Sequence, residues 1–215
     1  MYRALLFDLD GTLSDTDALH LPTWMDALAP HDVRVDEVFY RENISGRSAA
    51  DVVRDLLPDL SDEEGRSIFE AKEAGFRERA GELEPLPGLL NFLRLARDGG
   101  LKTALVTNAP EENVGAVLAA LDLRGFFDEA VLPDDVEAVK PNPAPYRVAL
   151  ERLGIAPNDA LAFEDSVSGI ASSVGAGIPT VGIASTQEPE RLRRAGAFMV
   201  FEDFADPRLR GLVGI

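Results

Sequence analysis

The sequence predicts an α/β protein with a doubly wound parallel sheet and a helical segment inserted after the first strand. Two patterns predict the sheet: short apolar runs of strand length recur along the chain, and stretches with helical periodicity separate most of them. A third pattern predicts the insertion, since residues 15–84 show helical periodicity and no convincing strand. We therefore expect a core formed by residues 1–14 and 85–215 and a helical domain formed by residues 15–84.

The predicted elements alternate along the chain. Five apolar runs have the length of strands, namely residues 3–7, 102–107, 129–132, 160–163 and 179–183. Four amphipathic stretches outside the insertion end near a glycine that can cap a helix, and they cover residues 89–97, 111–121, 145–153 and 166–175. Helical patterning within the insertion covers residues 19–28, 35–42, 48–57 and 62–79. Residues 13–16 and 84–88 connect the two parts, and two adjacent connectors allow the insertion to rock as a lid.

The composition excludes several kinds of site. The chain has no cysteine and two histidines, which excludes disulfides, thiolate catalysis and Cys-ligated zinc and leaves too few imidazoles for a His-rich metal site. A metal would therefore need oxygen ligands, which favours magnesium, manganese or calcium. The formal net charge of −17 argues against binding to nucleic acids or anionic membranes, because both need a basic face.

The apolar segments are those of a globular protein. No apolar run approaches the roughly 18 to 20 residues of a membrane span, and Asp8 interrupts the first run before a signal-peptide core can form. We expect a soluble, cytoplasmic monomer with a buried core. An acidic protein can still bind a small phosphorylated metabolite where a divalent cation and a few basic residues reverse the local potential.

Two aspartates, Asp8 and Asp10, follow the first apolar run at the point where a buried strand ends. Side chains in a strand alternate faces, so the two carboxylates converge on one point only if the chain turns there, which Gly11 permits. One carboxylate could then hold a metal or attack a substrate while the other moves protons. The alternative is a solvated turn, since Asp and Gly are common in turns.

Two further predicted strands also end in polar residues. The second core strand, residues 101–106, runs into Thr107 and Asn108, with Pro110 at the first predicted helical position, so these groups would face an anion at a helix N-terminus. Helix capping by Thr107 or Asn108 is the alternative. The fourth strand is followed by Glu164 and Asp165, and a second carboxylate pair at an equivalent strand end favours a metal site.

Lys140 lies between these segments, after two apolar residues and directly before Pro141. Its backbone is restricted by the proline, so the direction of its side chain is fixed. An ammonium among carboxylates and a phosphoryl group offsets charge that would otherwise repel an attacking aspartate. Because an X-Pro bond has only a small trans preference, we expect a cis peptide bond at a lysine that must be aimed.

The fold brings these residues together. Ligands of doubly wound sheets bind at the carboxyl ends of strands, where the strand order reverses. If the first strand is central, with the second and fourth on either side, Asp8, Thr107 and Asp165 lie within steps of about 5 Å across the sheet. That spacing suits one phosphate and one metal.

The four segments together resemble the motifs of the haloacid dehalogenase superfamily. They are Asp8-Leu9-Asp10-Gly11-Thr12, Thr107-Asn108, Lys140-Pro141 and Glu164-Asp165-Ser166, in this order, and the match spans essentially the whole chain. The helical interval resembles the small cap of the subgroup that contains β-phosphoglucomutase and sugar-phosphate phosphatases. The resemblance implies a Rossmann-like core with an α-helical cap. Dehalogenating members lack an acid where Asp10 stands, so it implies phosphoryl chemistry instead.

The resemblance also implies a magnesium-dependent phosphatase that acts on small sugar phosphates. Asp8 would be the nucleophile that becomes an aspartyl phosphate, and Asp10 would be the general acid and base. Thr107 and the amides of Leu9, Asp10, Asn108 and Ala109 would bind the transferring oxygens, while Lys140 bridges Asp8 and the phosphoryl group. Mg²⁺ would be held by the Asp8 carboxylate, the Asp10 main-chain carbonyl and Asp165, with Glu164 as a further ligand or as a partner of the ligands.

The resemblance assigns cap residues as well, and it leaves alternatives open. His20, Arg47 and Lys72 match positions that recognise substrate or support closure; the alternatives are surface salt bridges for Arg47 and Lys72 and a packed or solvated imidazole for His20. The segment Thr107-Asn108-Ala109-Pro110 favours a phosphatase over β-phosphoglucomutase, whereas His20 and Arg47 favour the mutase. Phosphoglycolate phosphatase is a third candidate. A phospho-acceptor signalling domain is a distant one, because such domains carry the phosphorylated aspartate on a later strand.

Overall fold

The chain divides into two compact units. The computed structural model describes residues 1–45, 47 and 49–214. One unit, here the sheet unit, comprises Met1–Asp15 and Glu84–Ile215, and the other, here the helical unit, comprises Thr16–Leu83. These bounds differ by one residue at each crossing from the predicted insertion.

The sheet unit contains a six-stranded parallel sheet. Its strands are β1 (Ala4–Phe7), β2 (Lys102–Val106), β3 (Glu129–Val131), β4 (Ala160–Glu164), β5 (Thr180–Ile183) and β6 (Met199–Phe201). They are ordered β3-β2-β1-β4-β5-β6, which confirms that β1 is central with β2 and β4 on either side. The three-residue strand β6 was not predicted.

The helical unit is built from amphipathic helices, as predicted. Its described α-helices are α1 (Asp17–Leu28), α2 (Glu37–Asn43), α3 (Ala49–Leu56) and α4 (Asp62–Arg79). A capping box starts α4, since Ser61 Oγ accepts from the Glu64 amide and the Glu64 carboxylate accepts from the Ser61 amide. Trp24, Leu28 and Val52 belong to the buried core of this unit. Ser48, the predicted first residue of the third helix, lies outside the described residues.

Six further α-helices among the described residues belong to the sheet unit. They are α5 (Leu89–Asp98), α6 (Glu111–Ala120), α7 (Ala144–Leu153), α8 (Val167–Gly175), α9 (Pro189–Ala195) and α10 (Pro207–Val213). The sequence predicts the first four but neither α9 nor α10, which span seven residues each. None of the described helices combines the length and the low polarity that a bilayer span requires.

Both faces of the sheet are covered, which explains the continuous apolar runs of β1 and β4. On one face Phe7 stacks on Phe163 with ring centroids 4.9 Å apart, and Phe92 of α5 packs edge-on against Phe163. On the other face Leu6 and Ala162 belong to a buried cluster with residues of α7. Asp8 continues the alternation of Leu6 and therefore points to the α7 side.

The two connectors lie side by side within the sheet unit. Ser14 Oγ donates to the Glu84 carbonyl at 2.7 Å, and the Leu86 amide donates to the Leu13 carbonyl at 2.9 Å. The chain thus leaves and re-enters the sheet unit at one place, after β1.

Candidate active site

The carboxyl ends of β2, β1 and β4 place three polar groups in one row. Phe7 pairs with Leu105 on one side and with Phe163 on the other. The next residues along the three strands are therefore neighbours, and they are Asp8, Val106 and Glu164. Two carboxylates and one carbonyl oxygen lie side by side at this edge of the sheet.

The side chain of Lys140 bonds to all three of these groups. Its Nζ donates to Asp8 Oδ1 at 2.6 Å, to the Val106 carbonyl at 2.7 Å and to Glu164 Oε1 at 2.6 Å. An ammonium has three N–H groups, so all of them are used. Burial alone would lower the pKa of Lys140, but the negative charges of Asp8 and Glu164 outweigh burial and raise it. Lys140 is therefore a permanent positive charge beside Asp8.

The loop after β2 fixes the backbone of Lys140. Asn108 Oδ1 accepts from the Lys140 amide at 3.1 Å, and Asn108 Nδ2 donates to the Lys140 carbonyl at 3.2 Å. The Lys140–Pro141 peptide bond is cis, as predicted. The side chain of Asn108 thus fixes the backbone of Lys140 through both its N–H and its carbonyl group. The position of Asn108 in the sequence did not indicate this role.

Thr107 is buried at the end of β2, and its Oγ1 accepts from the Ala109 amide at 2.9 Å. The amide of Ala109 is thus bonded to Thr107, and the Thr107 O–H is the group left to donate to a ligand. Neither Thr107 nor Asn108 caps α6: the N-cap residue is Pro110 and it makes no side-chain capping bond. The capping alternative is therefore wrong, and so is the placement of Pro110 inside the helix.

The loop after β5 supports both the loop after β1 and Asp165. Ser185 Oγ donates to the Gly11 carbonyl, and Thr186 Oγ1 donates to Asp165 Oδ2. Gly11 has φ +71°, and a Cβ there would overlap the Asp165 carboxylate. Ser185 and Thr186 are not among the residues that the sequence predicts, although polar residues just after a predicted strand are the signal that identified Thr107.

Glu164 has no exposed surface and is held from several sides. Its Oε1 accepts from the Tyr146 hydroxyl at 2.6 Å as well as from Lys140, and Ser166 Oγ lies 3.3 Å from its Oε2. Burial, and then the charge of Glu164, raises the pKa of Tyr146 well above its ordinary value, so the phenol remains a donor. Tyr146 lies on the apolar face of α7, where an aromatic residue indicates core packing and nothing in the sequence signals its hydroxyl.

The acids at this edge are suited to a divalent cation. Oxygen atoms of Asp8, Glu164 and Asp165 all lie within 4.8 Å of one another. Burial raises the pKa of Asp8 to about 8; Lys140 opposes this shift, whereas Glu164 and Asp10 add to it. Burial, and then the charges of Asp8 and Glu164, raises the pKa of Asp165 well above its ordinary value. A cation bound to these oxygens would favour their ionised forms, and three carboxylates against one ammonium leave charge for it to neutralise.

Within the helical unit, His20 and Lys72 lie in one cluster. Lys72 is 5% exposed, and its Nζ donates to Glu73 Oε1 at 2.9 Å and lies 3.0 Å from His20 Nδ1. The His20 ring stacks on Phe76 with centroids 4.4 Å apart. The alternative of a surface salt bridge is therefore wrong for Lys72, because its ion pair is buried, and His20 is packed against an aromatic ring.

Arg47 forms a surface ion pair, which is the alternative to substrate recognition given above. Its guanidinium donates to Asp55 and, at 2.9 Å, to the Asn43 carbonyl, and its side chain is 35% exposed. These contacts hold the arginine in place without burying its charge.

The comparisons with known proteins agree with this geometry. Residues 2–177 match the family model described as haloacid dehalogenase-like hydrolase. The chain is 30% identical over 201 residues to the phosphorylated carbohydrates phosphatase of Thermotoga maritima, covering 91% of this chain and 92% of that protein. It is 31% identical over 219 residues to the phosphoglycolate phosphatase of Rhodospirillum rubrum, covering 95% of this chain and 87% of that protein.

Two solved structures of one protein, CbbY, have the same fold. CbbY from Rhodobacter sphaeroides in complex with phosphate has a TM-score of 0.86 to this chain at 29% identity and covers 96% of each chain. A mutant of that protein in complex with xylulose-(1,5)bisphosphate has the same TM-score. With the family model matching most of its length and two relatives at least 30% identical to it, the chain belongs to the haloacid dehalogenase-like hydrolases.

Proposed function

We propose that this enzyme is a magnesium-dependent phosphatase that hydrolyses small sugar phosphates through an aspartyl phosphate on Asp8. The observation that carries the proposal is the bond from Lys140 Nζ to Asp8 Oδ1 beside two further buried acids. A carboxylate held by a permanent cation at the end of a central strand is placed to attack phosphorus. The names of the relatives support phosphorylated carbohydrates as the substrate class.

In the first half-reaction a carboxylate oxygen of Asp8 attacks the phosphorus atom, and the bond between phosphorus and the sugar oxygen breaks. Asp10 gives its proton to the departing alkoxide. Lys140 offsets the negative charge that Asp8 and the phosphoryl group bring together, and the Thr107 hydroxyl donates to a phosphoryl oxygen. Positioning and charge neutralisation of this kind are most of what phosphoryl transfer requires.

In the second half-reaction water attacks the phosphorus atom of the aspartyl phosphate. Asp10, now ionised, takes the proton from the water, and the bond between phosphorus and Asp8 breaks to release phosphate. The carboxylates of Asp8 and Asp165 and the main-chain carbonyl of Asp10 would hold Mg²⁺. When bound, this ion neutralises charge on the phosphoryl oxygens.

The comparisons also bear on the alternative substrates and reactions. Phosphoglycolate is the second candidate, because a relative 31% identical to this chain is named for it. β-Phosphoglucomutase activity remains the runner-up reaction, which a bisphosphate primer would reveal. The signalling-domain alternative is wrong, since the chain matches a hydrolase family over residues 2–177.

The wild-type protein should release phosphate from p-nitrophenyl phosphate and from a panel of sugar phosphates in the presence of Mg²⁺, and EDTA should abolish release. Asp8→Asn should remove turnover and leave the far-ultraviolet circular dichroism spectrum unchanged, since it replaces the attacking oxygen with an amide of equal size. Isomerised product that appears only with a bisphosphate primer would instead identify a mutase. Wild-type activity in Asp8→Asn would contradict the assignment of the nucleophile.

Asp10→Asn should lower kcat/KM for a sugar phosphate by roughly 10² to 10⁴, the usual contribution of a general acid or base. The loss should be much smaller for p-nitrophenyl phosphate, because its leaving group needs no proton. The exposed Asp98 at the end of α5 provides a control, and Asp98→Asn should leave both values unchanged. Equal losses on the two substrates would exclude Asp10 as the acid.

Gly11→Ala tests whether the loop after β1 must approach Asp165. Gly11 and Gly100 have nearly equal φ values of +71° and +73°, so an alanine costs about 1–2 kcal/mol of backbone strain at either site. A Cβ at Gly100 meets nothing within 4 Å, whereas at Gly11 it overlaps Asp165. Gly11→Ala should therefore lose activity and raise the Mg²⁺ concentration for half-maximal rate, while Gly100→Ala keeps both. Similar activity in the two variants would refute the packing argument.

We further propose that Arg47 recognises the part of the substrate remote from the phosphoryl group, as the resemblance implies, and that His20 and Lys72 support the same recognition. Arg47→Ala should raise KM for a sugar phosphate several-fold more than for p-nitrophenyl phosphate, because the small ester lacks the distal group. Arg79 also forms an ion pair on the helical unit, with Asp26, and donates to the carbonyl of Gly75, so Arg79→Ala is the matched control. An equal rise for both substrates would disprove the role.

A further inference from the structure

We infer that the Tyr146 hydroxyl is a positioning group for Lys140, acting through Glu164. Its catalytic consequence rests on the proposed function, but the contact chain itself does not. Tyr146 is fully buried on α7, and its hydroxyl donates to Glu164 Oε1 at 2.6 Å. The same oxygen accepts from Lys140 Nζ at 2.6 Å, so one atom links the phenol to the ammonium.

The orientation of the Glu164 carboxylate decides where Lys140 points. Lys140 has used its three N–H groups: one acceptor is the backbone carbonyl of Val106, which β2 fixes, and another is the short side chain of Asp8 at the end of β1. Glu164 supplies the third acceptor from a longer side chain with more rotatable bonds. Without a second donor on Oε1, rotation of that carboxylate would let the ammonium move away from Asp8.

Other neighbours of Glu164 also restrict the position of its carboxylate. Its carboxylate lies against the backbone of Gly169, where a Cβ would overlap it. Ser166 Oγ is 3.3 Å from Oε2, which is a weak contact compared with the 2.6 Å bond from Tyr146. Of the neutral donors bonded to this carboxylate, the phenol is therefore the strongest.

Tyr146 touches Lys140 in a second way. Lys140 Nζ lies 5.3 Å from the centroid of the Tyr146 ring, within the range of a cation–π contact. Phenylalanine at this position would keep the ring and its packing and lose only the hydroxyl. Tyr146→Phe thus isolates the hydrogen bond from the packing.

Tyr40 offers a matched control. It is also buried, and its hydroxyl donates to Asp17 Oδ1, again at 2.6 Å, but within the helical unit. Tyr40→Phe removes a bond of the same kind and length that has no link to Lys140. A general effect of losing a buried phenol–carboxylate bond would appear in both variants.

The first test reads Lys140 directly and needs no turnover. The chain has only three lysines, Lys72, Lys102 and Lys140, so lysine labelled with ¹³C at Cε gives three resonances, which are assigned by substituting Lys72 and Lys102 in turn. The Lys140 resonance should shift in Tyr146→Phe and stay in place in Tyr40→Phe, while Lys102 moves in neither. An unmoved Lys140 resonance in folded Tyr146→Phe would overturn the inference.

The second test measures the catalytic consequence. Tyr146→Phe should lower kcat about tenfold, the effect of losing one hydrogen bond to a charged group, with KM for a sugar phosphate nearly unchanged. Tyr40→Phe should keep the wild-type kcat. Equal kcat values in the two variants would overturn the inference, whereas absence of phosphate release by the wild type would overturn the proposed function alone, because the resonance shift is independent of turnover.

If Tyr146→Phe does not fold, 3-fluorotyrosine supplies a second variant. The fluorine makes the phenol a stronger acid and so a stronger donor, without removing the hydroxyl. Incorporated in the Tyr40→Phe background, where Tyr2 and Tyr146 are the remaining tyrosines, it should still shift the Lys140 resonance. No shift there would equally contradict the link from Tyr146 to Lys140.

Discussion

The Lys140 ammonium bonds at once to the ends of three neighbouring strands, and the rest of the site depends on that bond set. Its partners are separated from it by 132, 34 and 24 residues in the chain, and they meet because β1 lies between β2 and β4. A buried ammonium is costly unless it is paired, and buried carboxylates repel each other unless a cation lies between them. The sheet order satisfies both requirements with one residue.

The charge balance explains why the two aspartates of the first loop differ. Asp8 is buried and tied to Lys140, so its carboxylate is fixed in place and suited to attack. Asp10 is half-buried and directly precedes Gly11, where the backbone has a positive φ. In the proposed mechanism it is the group that gives and takes the proton.

The supporting residues form a second layer behind these acids. Asn108 holds the backbone of Lys140, Tyr146 and Glu164 hold its ammonium, and Thr186 holds Asp165. Each contact joins two segments that are distant in the chain: two loops for Asn108 and for Thr186, and a helix and a strand for Tyr146 and Glu164. The site is therefore rigid because several strand ends are bonded to one another, and loss of one contact should reduce the rate before it unfolds the protein.

Strand order and the residues that directly follow the strands could be predicted from the sequence, because parallel strands bring their carboxyl ends to one edge. That rule placed Asp8, Thr107 and Asp165 together, whereas Lys140 was included because Pro141 restricts its backbone. It could not identify Tyr146, whose hydroxyl matters only because α7 packs that face of the helix against Glu164. Nor could it show that Arg47 pairs with Asp55, because residue type indicates a charge but not its partner.

The central claim is that Asp8 carries the phosphoryl group during turnover. Rapid acid quenching of the enzyme with a sugar phosphate and Mg²⁺, followed by borohydride reduction, converts an aspartyl phosphate into homoserine, which peptide mass spectrometry locates. The account predicts homoserine at position 8 and at no other aspartate, in an amount that depends on substrate. Substrate-dependent reduction at another residue, or phosphate release without any reduced aspartate under single-turnover quenching, would contradict it.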